Sequence, residues 1–163
     1  MPLTKIFSGL PLSLASLFTS CASPPISSEK GNTLAVWDLD DLSPYVSSRP
    51  QFGEFLSGQV LETLQKRGDY TVVERERLLL ALEELQLGSS SLVDEATRLK
   101  LGKLIGAGFM VFGGYQVLGD KIRVDLRMVE VETGKVLKAV QKTESAPDLQ
   151  GWTDAVRKAA EEL

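Results

Sequence analysis

The sequence contains no histidine and a single cysteine among its 163 residues. The first absence removes the commonest general base, the commonest metal ligand and every Ser-His or Cys-His nucleophile. The second leaves no internal disulfide and no thiolate zinc cluster. Strong charge of one sign is also missing. Eighteen basic residues stand against 22 acidic ones, for a net charge of −4, with no polybasic tail or acidic block. That balance excludes an electrostatic nucleic-acid binder. What remains is ordinary for a folded chain: 43% apolar and 25% charged residues, enough for one domain with its own core.

Residues 1–20, "MPLTKIFSGLPLSLASLFTS", carry Lys5 as their one charge and an apolar run from Ile6 to Phe18. That run is too short to span a bilayer as a helix. A basic start, a short apolar core and small residues before a cut point define a secretory signal. Thr19 and Ser20 lead into Cys21, and this arrangement resembles the lipobox of bacterial lipoproteins, which are cut before the cysteine and acylated on it. The resemblance implies a palmitate-type anchor on Cys21. Ala22 is not the aspartate that favours the inner membrane, so the implied location is the outer membrane, facing the periplasm. Residues 21–32 are rich in Ser, Pro, Gly and charge, and bury too little to offset their ordering entropy. They read as a flexible tether.

The folded domain is expected over residues 33–163. "TLAVWDL" reads as an interior strand. A helix follows, with Ser48 and Gln51 at capping-box spacing, Pro50 in its first turn and Gly68 at its end. Its inner face is expected to hold Phe52, Phe55, Leu56, Val60 and Leu64. "DYTVVE" is a second strand. A second helix carries Leu78, Leu82 and Leu85 inward and ends at Gly88, and a third starts near Asp94. The period then changes. "GFMVFGGYQVL", "KIRVDLRMVEV" and "KVLKAVQKT" are strands joined by turns at Gly119–Asp120 and Thr133–Gly134. A last helix has Leu149, Trp152, Val156 and Leu163 as its stripe. The order β-α-β-α-α-β-β-β-α predicts an α/β fold, a single domain with a mixed five-stranded sheet flanked by helices.

Three stretches invite chemistry. "VWDLDDLSP" ends the first strand with Asp38, Asp40 and Asp41, where α/β folds often place ligands. A magnesium site there needs a further aspartate after another parallel strand and an opposing lysine. The later Asp120 is used in a turn instead. Asp41 and Ser43 before Pro44 read as a turn, so the stretch is expected to be a solvated, turn-forming loop. The glycines of "LGKLIGAGFMVFGG" lie where a helix enters a strand, the reverse of a phosphate loop. Gly106 and Gly108 read as a helix stop and turn, and Gly113–Gly114 as a bulge or close packing. Arg75, between Glu74 and Glu76, is expected to pair with a carboxylate. Finally, Lys121, Arg123 and Arg127, with Lys138 and Lys142 on the neighbouring strand, are expected to form a basic sheet face. That face could dock an acidic partner or lipid headgroups, or could simply be solvated.

The run "YTVVERERLLLALEELQLGSSSLVDEATRLKLGKLIGAGFMVFGG" followed by "VDLRMVEVETGKVL" resembles the CsgG-like family of bacterial envelope lipoproteins, whose namesake is the curli secretion channel. The shared features are the V-V-E-R entry into a helix, the "SLVD" link, "LGKLIGA" before a strand and the "VETGK" turn. The resemblance implies a non-catalytic interaction or scaffold domain in envelope or surface-structure assembly. It also implies an envelope protein partner or self-association, membrane attachment through the lipid, no nucleic acid, no cofactor and no metal. The curli channel would also imply amphipathic hairpins that insert into a membrane, and no spare segment of nine to eleven alternating residues is present for them. The alternatives are a subunit of a ring-shaped secretion complex and, with no histidine available, a carboxylate-dependent enzyme.

Overall fold

A computed structural model describes residues 31–44, 50–87 and 93–163. The expected leader, tether and anchor at Cys21, together with Ser48 of the expected capping box and Gly88 of the expected helix end, lie outside the described residues. The elements are β1 (Thr33–Val36), β2 (Asp40–Asp41), α1 (Pro50–Arg67), β3 (Thr71–Val72), α2 (Arg75–Glu84), α3 (Glu95–Leu104), β4 (Phe109–Leu118), β5 (Lys121–Glu130), β6 (Val136–Ser145) and α4 (Leu149–Glu161). The main sheet runs β3-β1-β4-β5-β6, with β2 added beside β4. The α/β expectation holds, and β2 is the extra strand. β1 is interior and parallel to both β3 and β4, as a strand-helix-strand start requires. From β4 onward the sheet is an antiparallel meander.

Alternation along the strands feeds two cores. Leu34, Val36, Val111, Ile122, Val124, Leu126 and Met128 face α1 and α4, where Leu56, Val60, Leu64 and Val156 are fully buried. Ala35, Trp37, Met110, Phe112 and Val129 face α2 and α3. Small residues bring α4 close to the sheet: Ala155, Ala159 and Ala160 are buried. Phe52 packs edge to face on Trp152, with ring centroids 5.5 Å apart.

Three residues expected inside are exposed: Phe55, Leu85 and Leu149. Leu149 begins α4, immediately after the Asp148 cap, before the helix meets the sheet. Leu85 follows the last residue of α2. The chain turns there through Gln86, at φ +53°, and Leu87 folds back with its N–H on the Leu82 carbonyl. Ala81 takes the inner position instead. In α1, Gly53 lies against the Leu39 carbonyl, so the helix turns that side to the sheet and Phe55 away. The β4–β5 turn has Gly119 at φ +64° and Asp120 at negative φ, as a turn with glycine first requires.

Candidate functional site

Of the three aspartates at the end of β1, two are clamped by arginines from the helices of the second layer. Asp38 accepts from Arg75 Nε at 3.2 Å and Nη2 at 2.8 Å, and from Ser57 Oγ at 3.3 Å. Arg75 opens α2 and also reaches Glu54 of α1. Burial pulls the Arg75 pKa down, but the Asp38 carboxylate and its neighbours outweigh that, and the net shift is upward. Asp40 accepts from Arg98 Nη1 at 3.0 Å and Nη2 at 3.2 Å. Arg98 also donates to the Val93 carbonyl and lies over the Trp37 ring, 5.2 Å from its centroid. The third, Asp41, accepts from Ser43 N–H at 2.9 Å, the turn expected from the sequence. Asp41 is paired in register with Tyr115. Burial, and then the negative charge of Asp41, push the Tyr115 phenol well above its ordinary range.

The acidic stretch is therefore not the solvated loop expected. Asp40 and Asp41 form a short strand on β4, and Asp38 and Asp40 spend both oxygens on guanidinium groups. No group of three potential metal-ligating side chains exists among the described residues. Arg98 carries no signal as a motif, yet the helix period could have found it. Counting from Leu101 and Ile105, position 98 lies on the inner stripe of α3, and a cation there needs a buried anion.

Helices α2 and α3 cover only part of the second sheet face. Beside α3 the uncovered part forms an open groove of about 440 Å³. Its lining includes Arg98, Asp40 and Leu42 on the α3 side, Gly114 of β4, and Asp125, Arg127 and Gln141 of β5 and β6. Gly113 and Gly114 are close-packing positions, not a bulge. The β4–β5 register is unbroken, and a Cβ on Gly113 would strike the Asp125 carbonyl oxygen. The polar groups of the groove answer one another. Arg123 donates to both oxygens of Asp125, at 2.8 and 2.9 Å, and to Gln141 Oε1 at 3.1 Å. Arg127 pairs with Glu95 at 2.7 Å.

The expected basic face is divided by register. Directly opposed residues share a face, so Lys121, Arg123 and Arg127 lie on the open side with Ser145, Thr143 and Ala139. Lys138 stands opposite Met128, and Lys142 opposite Val124, which places both on the α4 side. Lys142 indeed pairs with Glu162, beyond the end of α4. The open side is thus mixed in charge rather than basic.

A mixed sheet with a parallel β-α-β start, an antiparallel meander and helices on both faces defines an α/β module with an open groove on one side. The family model for the curli production assembly/transport component CsgG matches residues 20–119, and the chain belongs to that family. No curated protein matches the sequence. The fold is shared with the LpoB C-terminal domain from Salmonella enterica (18% identity, TM-score 0.57, covering 71% of this chain and 83% of that one). A PelC dodecamer from Paraburkholderia phytofirmans is also similar (15% identity, TM-score 0.55, 82% and 88% covered). So is lipoprotein GNA1162 from Neisseria meningitidis (13% identity, TM-score 0.55, 70% and 80% covered). At these identities the likeness concerns the fold alone.

Proposed function

We propose that the chain is a lipid-anchored protein of the cell envelope that works by contact, without catalysis, as an interaction or scaffold domain in envelope or surface-structure assembly. Membership of the CsgG family carries this reading. The geometry of the groove supports it. Asp40 and Asp125, the two carboxylates that a histidine-free enzyme would need there, each have both oxygens engaged by an arginine. The anchor is Cys21, on the outer membrane and facing the periplasm, after removal of residues 1–20, with residues 21–32 as the tether. No described helix is long and apolar enough to cross a membrane, and the proposed attachment is through the acyl chains. Several together hold stably at about 0.8 kcal/mol per buried methylene.

A second reading, a subunit of a ring-shaped secretion complex, draws on the fold shared with a dodecameric PelC. The two hairpin turns of the described meander are short, Gly119–Asp120 and residues 131–135, and neither carries an inserted membrane segment.

Mass spectrometry of the mature N-terminus tests the anchor: the expected product begins at an acylated Cys21, and Cys21→Ser leaves the membrane fraction. An intact leader on the mature chain refutes the envelope assignment. Capture from envelope extracts, compared between the native chain and an Arg123→Ala, Arg127→Ala variant, tests the contact role. Turnover of a substrate that disappears in Asp125→Asn refutes it.

A further inference from the structure

We propose that β6 is a self-recognition edge. Two copies of the chain join β6 to β6, antiparallel, about a two-fold axis at Gln141, so that one sheet continues across the contact. The proposal deepens the contact role given above and names a second copy as one partner.

β6 is ten residues long and ends the sheet, with β5 on one side. Ala146 N–H donates to the Asp120 carbonyl, and the pairing continues unbroken from Lys121 opposite Ser145 to Met128 opposite Lys138. Bonded and unbonded pairs alternate along an antiparallel ladder. Ala139, Gln141, Thr143 and Ser145 therefore turn their N–H and C=O groups away from β5, and all four residues are exposed. Among the described residues no other backbone pairs with this row. Edges of this length are ordinarily blunted by a proline, a bulge or an inward charge. Here the irregularity falls at the start of the strand and Pro147 falls after it, and the inward charges Lys138, Lys142 and Glu144 blunt the edge only against registers that oppose like charges.

Charge selects the register. A two-fold at Gln141 sets Ala139 opposite Thr143 on either side of Gln141 itself, matching outward groups with outward groups. The same register sets Lys138 opposite Glu144 of the second copy, twice by symmetry, and Val140 opposite Lys142. Moving the axis to Val140 puts Lys138 opposite Lys142, and moving it to Lys142 puts that lysine opposite itself. Both oppose like charges, which is unfavourable. An axis at Thr143 restores a Lys142–Glu144 match but pairs only residues 141–145, where the axis at Gln141 pairs 138–144 within the regular part of the strand. Among the described residues Lys138 has no ion-pair partner of its own, while Glu144 holds only the half-exposed Lys158 at 3.2 Å. A two-fold contact closes on itself, so it yields a dimer and not a ring.

The test uses the full chain in detergent with Cys21→Ser, so that an introduced thiol is the sole one. Residues facing across a bonded antiparallel pair lie about 5.5 Å apart between Cα atoms, within disulfide reach. Gln141→Cys is expected to oxidise to a covalent dimer, and Thr143→Cys, which faces Ala139, is not. Lys138→Glu, with its fold checked by circular dichroism, is expected to raise the dimer dissociation constant about tenfold in sedimentation. Adding Glu144→Lys is expected to recover most of that loss. A chain that stays monomeric at every concentration overturns the proposal, as does equal cross-linking at positions 141 and 143 or a ring. A monomer that still captures an envelope protein would overturn this proposal and leave the contact role intact.

Discussion

The clamp of Arg98 on Asp40 and Trp37 gives the sharpest energetic test. The Arg98 side chain is 11% exposed and that of Asp40 39%. Exposed ion pairs are worth about 0–1 kcal/mol, and removing one partner of a buried pair costs about 3–5 kcal/mol. This pair lies between those limits. Arg98→Ala also removes the bond to the Val93 carbonyl and the guanidinium over the indole, so it should cost about 3 kcal/mol. Asp40→Ala should cost about 2 kcal/mol, because Arg98 keeps its other two contacts. The quantity that isolates the pair is the coupling in the double-mutant cycle, expected at about 1–2 kcal/mol. Urea unfolding followed by tryptophan fluorescence reads it, since Trp37 lies directly beneath Arg98. With so little of the guanidinium in water, the coupling should survive 0.5 M salt largely intact. A coupling below about 0.3 kcal/mol, within the error of additivity, would show that the clamp is incidental, and the account of the acidic stretch would fail with it.

Gly113→Ala forces a Cβ onto the Asp125 carbonyl and the Leu126 side chain, and should cost more than about 2 kcal/mol in chemical denaturation. Gly58→Ala, in α1 with nothing within 4 Å of the added carbon, should stabilise by about 0.5–1 kcal/mol. Equal effects at the two glycines would refute the packing argument. Gly119→Ala, at φ +64°, should cost about 1 kcal/mol, with Gly119→Asn milder, both read from thermal unfolding. The Asp94 side chain caps α3 through the Thr97 N–H, and that bond holds its carboxyl below the ordinary 3.8. A lowered folded value means that the contribution is complete above 3.8 and is lost as pH falls through the folded value. Asn caps at every pH, so the stability gap between the native chain and Asp94→Asn should shift towards Asn in acid melts. An unchanged gap would refute the linkage.

The sequence displays the fold well wherever one period runs long enough to be read. β5 alternates along its length, β4 is an apolar run buried on both faces, and Leu56, Val60 and Leu64 repeat at helical spacing. The errors come where a local rule meets an end or a partner. Leu85 satisfies the helical period but lies past the last turn of α2. Lys138 satisfies the strand alternation, but its face is set by the register against β5, and that depends on an irregularity opposite Met128 and Val129. The site was less legible for the same reason. Three aspartates in four residues look like a cation site until their arginines are placed, and Arg75 and Arg98 approach from elements 37 and 58 positions away in the chain. Arg98 leaves only the weak trace of a cation on an apolar stripe.

Those arginines also bear on the contact role proposed for the chain. A carboxylate that acts as acid, base or nucleophile needs an oxygen that faces substrate or water. Asp38 and Asp40 instead tie the chain after β1 to helices α2 and α3, and Asp125 accepts from Arg123 of its own strand, each through two guanidinium bonds. Freeing Asp40 for chemistry would loosen the groove wall that it forms with Arg98. A surface whose charged side chains are already held in pairs, with Leu42 exposed on it, has less side-chain entropy to lose when a partner docks. The uncovered sheet face and the open edge of β6 meet at Ala139 and Gln141, so a partner held in the groove and a second copy on the edge would share those two residues. Occupation of one surface would then bear directly on the other.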